Sequence, residues 1–111
     1  MNMEEMIDKY FRPGRLPHIW CPGCGNGIVT GCIVKAVAKL DLAKDNVAVI
    51  SGIGCSSRAS GYLDFNTVHS AHGRALPVAT GVKLADPNLT VLVVTGDGDA
   101  TAIGGNHLIH A

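Results

Sequence analysis

The chain has 111 residues, 47% of them hydrophobic, and its nine basic and nine acidic side chains cancel, which leaves room for one core and not two. A net charge of zero removes the electrostatic case for nucleic acid or an anionic membrane as a partner. The acidic opening MNMEEMIDKY holds no apolar run, so it is neither a signal peptide nor a membrane span, and the expected location is the cytoplasm.

Met1 to Tyr10 has weak helical spacing, and the two prolines and one glycine between Arg12 and Pro17 break it. Residues 1–16 therefore read as an arm lying on the surface or on a partner. Trp20 to Asn26, WCPGCGN, reads as a tight loop. Gly27 to Leu40 then spaces Ile28, Cys32, Ile33, Val37 and Leu40 on one helical face, expected to be the buried one. Val47 to Ser51 is an apolar, β-branched run, the pattern of a strand, and it ends at Gly52, Gly54 and a cysteine-serine turn.

Gly61 to Ser70 shows no period and reads as irregular. From His72 to Ala85 the spacing of Leu76, Val78, Val82 and Leu84 predicts a helix, with Pro77 tolerated in its first turn. Asp86-Pro87-Asn88 ends it. Val91 to Thr95 is apolar or β-branched without alternation, as in a strand buried on both faces of a parallel sheet. The order strand, helix, strand predicts an α/β fold, a parallel sheet flanked by helices with a right-handed crossover. The sequence stops at Ala111, a turn or two into the helix expected after Gly105, so residues 1–111 are expected to form the N-terminal part of one domain.

Gly96, Asp97, Gly98 and Asp99 put two carboxylates among glycines at the carboxyl end of that last strand, where open α/β sheets hold their ligands. Such a turn before a helix suits a phosphate if Asp97 holds a bridging Mg²⁺. The plain alternative is an ordinary Asp-Gly turn with Asp99 as the N-cap of the next helix.

The four cysteines are Cys21, Cys24, Cys32 and Cys55. In a reducing compartment they are not expected to form disulfides. Cys21 and Cys24 are spaced to present both sulfurs to one centre, leaving a redox pair, half of a zinc site and iron-sulfur ligands as readings. Cys55, in IGCSSR, should sit at the same sheet edge as the GDGD turn.

Taken together, WCPGCGN, GIGCSSR, HSAHGRALPVATGVKLA and GDGDATAIGG, in this order, resemble the β subunit of 2-oxoacid:ferredoxin oxidoreductases of the 2-oxoglutarate type. The resemblance runs from about Pro17 to the end. It implies a fold that binds thiamine diphosphate, with Asp97 on Mg²⁺ and Gly96, Gly98 and Asp99 shaping the diphosphate site. It implies that Cys21, Cys24 and Cys55 ligate a [4Fe-4S] cluster. Gly54, Cys55 and Ser56 would approach the cofactor from the neighbouring strand, with His72 and Gly73 near the diphosphate or thiazolium. His72 and Arg58 are the implied catalytic candidates, Arg58 receiving the distal carboxylate of 2-oxoglutarate unless it simply pairs with Asp64. The implied reaction is oxidative decarboxylation of a 2-oxoacid to acyl-coenzyme A, with an α subunit and ferredoxin as partners. The Asn-Asn pair and fourth cluster cysteine of the family pattern do not occur within these residues. Without that resemblance, a thiamine-dependent decarboxylase or synthase lacking a cluster and a non-catalytic zinc-binding module remain open.

Overall fold

In a computed structural model describing residues 1–111, the run VAVIS becomes strand β1 (Val47–Ser51), and all five of its residues are buried. Strand β2 (Asn66–His69) pairs with it on one side and strand β3 (Thr90–Val94) on the other, both parallel, in the order β2-β1-β3. Val49 lies opposite Thr67 in one neighbour and Leu92 in the other. A strand covered on both faces needs no alternation of apolar and polar residues, which is why this one was readable.

Side chains of β1 alternate between two clusters. Val47 and Val49 join Tyr10, Val34, Val37, Leu63 and Phe65, beneath helices α1 (Met3–Tyr10) and α2 (Gly25–Lys39). Ala48 and Ile50 pack on the other side against Ala75 and Ala79 of helix α4 (Ala75–Ala85). The expected α/β architecture, a parallel sheet flanked by helices, is therefore present. No helix is long and apolar enough to cross a membrane.

Four local expectations change. The segment read as irregular holds the end of the short helix α3 (Ala59–Tyr62) and all of strand β2. The sequence NTVH has no apolar run, so its extended form comes from pairing with β1 and not from its own pattern. On α2 the buried positions are Thr30, Val34 and Val37, whereas Ile28, Leu40 and Cys32 are exposed. The helix is apolar on more than one side, and the sheet covers only one. On α4 the buried residues are Ala75 and Ala79, and Leu84 points outward, 77% exposed. β3 is half-buried along its length, because it lies at an edge of the sheet with a partner on one side only.

The N-terminal arm is fixed to this core. Asn2 and Glu5 form a capping box that starts α1, each side chain accepting from the other's backbone N–H, and Tyr10 at its end is 2% exposed. Beyond it Arg12 donates to the Leu63 carbonyl at 2.8 Å and to the Thr67 hydroxyl at 2.7 Å, tying the arm to the segment that leads into β2.

Candidate cofactor site

The carboxyl ends of β1 and β3 open into a cleft of about 450 Å³, lined by Asn26, Ile53, Gly54, Cys55, Ser56, His72 and the turn Gly96 to Asp99. This is the position at which parallel sheets present ligands to their loops. Past Ser51 the chain turns through Gly52 and Ile53 to Gly54, whose φ of +116° is a conformation that suits glycine. Past Val94 it enters a wide helical turn of π type (Gly98–Ile103), followed by helix α5 (Gly105–His110).

The two carboxylates of the GDGD turn go opposite ways. Asp97 is exposed and lines the cleft, and its side chain has no hydrogen-bond or ion-pair partner; only its backbone carbonyl is engaged, by the Thr101 hydroxyl at 2.6 Å. Asp99 is 3% exposed and turned back into the protein. Its Oδ1 accepts the Gly73 N–H at 2.6 Å and lies 2.6 Å from His72 Nδ1, while its Oδ2 accepts the Ile53 N–H at 3.2 Å. Burial pushes the Asp99 carboxyl up, but the hydrogen bonds from Gly73, His72 and Ile53 together outweigh it and hold it below the ordinary carboxylate value. Asp99 is thus neither a helix cap nor a free ligand; it joins three loops.

The glycines around it leave that carboxylate its room. A Cβ on Gly52 would lie 1.8 Å from Asp99 Oδ2. Gly73 has φ +71°, and a Cβ there would stand 2.4 Å from the Ile103 side chain. Beside the turn, Ser56 Oγ is buried without any partner, 3.6 Å from where a Cβ of Gly96 would be. A buried hydroxyl left unpaired at the wall of a cleft is a site for an oxygen or nitrogen of a bound molecule.

The cysteine loop reaches the same edge. Trp20 is 7% exposed, packs on His18 and Tyr62, and donates its indole N–H to the Cys55 carbonyl at 2.6 Å. The neighbouring Cys21 accepts at its carbonyl from the Cys24 N–H at 2.9 Å, and Cys24 precedes α2. Cys21 and Cys55 are exposed and Cys24 is half-buried, all as free thiols. No three His, Cys, Asp or Glu side chains are gathered tightly enough to hold a single metal ion. Cys32 lies apart on the outer face of α2.

Arg58 ends the short 3-10 turn Ser56–Arg58, is exposed and does not line the cleft. It does not pair with Asp64, which is held by Lys44 instead, and that bond pulls the Asp64 carboxyl down. His18 stacks on Trp20, whereas His69 and His110 are exposed, His107 is half-buried, and all three lie outside the cleft. Two lining residues, Asn26 and Ile53, were not singled out from the sequence. Both sit inside quoted motifs, so their neighbours were the signal available.

Comparison with known proteins agrees with this fold. Residues 50–111 match the family described as thiamine pyrophosphate enzyme, C-terminal TPP binding domain. The chain is 57% identical over 111 residues to the 2-oxoglutarate synthase subunit KorB of Methanothermobacter marburgensis and 60% identical over 109 residues to that of Archaeoglobus fulgidus. It covers 39% and 40% of those proteins, which in turn cover 99% and 98% of it, so it spans about two fifths of the length of these curated relatives. A solved 2-oxoglutarate:ferredoxin oxidoreductase from Magnetococcus marinus, with 2-oxoglutarate, coenzyme A and succinyl-CoA bound, superposes with a TM-score of 0.88 at 43% identity, covering 94% of this chain and 35% of that one.

Proposed function

The chain belongs to the thiamine pyrophosphate enzymes, and from that premise we propose that it forms the cofactor-binding part of the β subunit of a 2-oxoglutarate:ferredoxin oxidoreductase. The observation that carries this reading is the cleft itself. Its wall offers one uncommitted carboxylate, Asp97, and one buried unpaired hydroxyl, Ser56, among glycines at the carboxyl edge of a parallel sheet.

That donor set fits a diphosphate with its cation. Mg²⁺ takes one or two carboxylates plus phosphate oxygens and keeps several waters, so one protein ligand from this turn is a sufficient share. Asp97 would hold the cation, Gly96 and Gly98 would let the backbone come close, and Ser56 would donate to an oxygen of the bound group. When bound, thiamine diphosphate supplies the nucleophilic carbon and the electron sink that decarboxylation of a 2-oxoacid requires. Gly54, Cys55 and His72 line the same cleft, with Gly73 next to His72 in the loop before α4.

Cys21, Cys24 and Cys55 are the residues of this chain that would hold a [4Fe-4S] cluster. Their thiols are free and at least partly accessible, and the Trp20 bond to Cys55 keeps the two loops together. Thiolates at such an edge are the usual donors to iron-sulfur clusters. Such a cluster would supply an electron route towards ferredoxin, and coenzyme A would take the acyl group. An α subunit completes the enzyme, since the relatives are themselves named as subunits. Arg58, unpaired and exposed, receives the distal carboxylate of 2-oxoglutarate, for which a guanidinium fork is suited.

Iron and acid-labile sulfide measured on the anaerobically purified complete protein should both be present; zinc without iron would overturn the reading. Asp97→Ala should weaken Mg²⁺-dependent thiamine diphosphate binding by at least about tenfold, since even outer-shell changes at metal sites cost that much. Arg58→Ala should raise the KM for 2-oxoglutarate more than for pyruvate, and equal effects would remove Arg58 from the substrate.

A further inference from the structure

Asp99 is the only charged side chain among the buried residues, and shaping the diphosphate turn does not account for its side-chain bonds. Its three partners come from separate places in the sequence: Ile53 after β1, His72 and Gly73 before α4. The site is built around it, for Gly52 has no room for a Cβ beside this carboxylate and Gly104 none beside the Asp99 carbonyl, 2.6 Å away.

An ionised carboxylate only accepts hydrogen bonds. The 2.6 Å contact with His72 Nδ1 therefore requires the hydrogen on Nδ1, which leaves Nε2 of the neutral ring with its lone pair. The His72 side chain is 42% exposed and lines the cleft, whereas the Asp99 side chain is 1% exposed. One nitrogen of the imidazole is held against a buried anion, and the ring, partly exposed, lines the cleft.

We propose that Asp99 is a positioning residue that fixes His72 as the Nδ1–H tautomer, so that Nε2 takes a proton from, and returns it to, an O–H or N–H group bound in the cleft. When the proton moves to Nε2, the bound group keeps the electron pair and the imidazolium is compensated by the Asp99 carboxylate. Both charges vanish when the proton goes back, and no other reactant is consumed. A base oriented through its second nitrogen by a buried carboxylate is a general arrangement for proton transfer. This assignment rests on the thiamine-dependent reading of the cleft and adds to it a proton carrier and the residue that orients it.

The test uses the complete enzyme with its partner subunit. With ¹⁵N-labelled histidine, the His72 resonances, identified by their loss in His72→Asn, should show hydrogen on Nδ1 and none on Nε2 at neutral pH; the opposite tautomer overturns the proposal. His72→Asn retains an amide that can reach Asp99 in place of Nδ1, so it should keep the fold. Its kcat should fall about 100-fold, the scale of general acid-base catalysis. An unchanged kcat would overturn the proposal. Asp99→Asn should also lower kcat and shift the labelled His72 signals towards the Nε2–H form; a folded variant with wild-type signals would remove Asp99 from the role. Absence of Mg²⁺-dependent thiamine diphosphate binding in the wild-type protein is a separate result, since it would overturn the functional reading beneath the proposal.

Discussion

What a single methyl would meet separates the glycines of this chain. At Gly52 it meets the Asp99 carboxylate at 1.8 Å, so the carboxylate must leave and its bonds to Ile53, His72 and Gly73 go with it. Gly52→Ala should therefore destabilise by about 3 kcal/mol, combining overpacking with lost hydrogen bonds to a buried charge. Gly81, inside α4, has nothing within 4 Å of its missing Cβ and no positive φ. Gly81→Ala should stabilise by about 0.5 to 1 kcal/mol through helix propensity and a less free unfolded chain. Denaturant midpoints of the two variants should move in opposite directions. Asp64 belongs to the same scale. Its folded carboxyl lies below the ordinary value, first because Lys44 donates to it and despite desolvation, with Lys44 and Arg12 adding charge attraction. A folded value below the unfolded one, about 3.9, means that the contribution is complete above that pH and is lost as pH falls through the lower folded value. The pair is partly exposed, so the loss should be small and screened by salt. Melting temperatures between pH 5 and 3 should fall less steeply for Asp64→Asn than for the wild type at low salt, and alike at 1 M salt.

At the level of elements, what could be read from the sequence depended on how each one is covered. β1 was legible because both its faces are packed, which writes an unbroken apolar run into VAVIS. β2 was not, because NTVH is mostly exposed and is held by its neighbour's backbone. On α2 the helix was legible and its rotation was not. Ile28, Val29, Ile33, Val34 and Val37 surround much of the axis, so spacing alone allowed a face that the sheet does not cover. Val34 is 1% exposed, and Val34→Ala should cost about 2 kcal/mol for two lost carbons and the space they leave. Ile28 is 65% exposed, and Ile28→Ala should change stability by less than about 0.5 kcal/mol. The reverse order would restore the face expected from spacing. The GDGD turn shows the same limit. Asp97 and Asp99 have nearly identical local surroundings in the sequence, and only partners 27 and 46 residues away divide them into a free carboxylate and a buried one.

Across the whole molecule, the cleft depends on long-range ties more than on any one motif. Parallel pairing brings the loops after β1 and β3 to one edge, Asp99 binds both to the loop before α4, and Trp20 brings in the cysteine loop. These last two ties share no residue, so they should fail separately. Trp20→Phe keeps most of the ring packing against His18 and Tyr62 but removes the only side-chain donor to the Cys55 carbonyl. The stability cost should be about 1 kcal/mol, the net worth of one hydrogen bond. Cys55 and the loop of Cys21 and Cys24 then lose the bond that sets their separation, while Asp97 and the Asp99 network are untouched. In the complete protein reconstituted with iron and sulfide, Trp20→Phe should thus retain less iron per chain than the wild type. Its Mg²⁺-dependent affinity for thiamine diphosphate should stay within about threefold, as expected for a change that leaves the Asp97 ligand in place. Full iron content with a weakened thiamine site would mean that the indole supports the diphosphate turn instead of the cysteines.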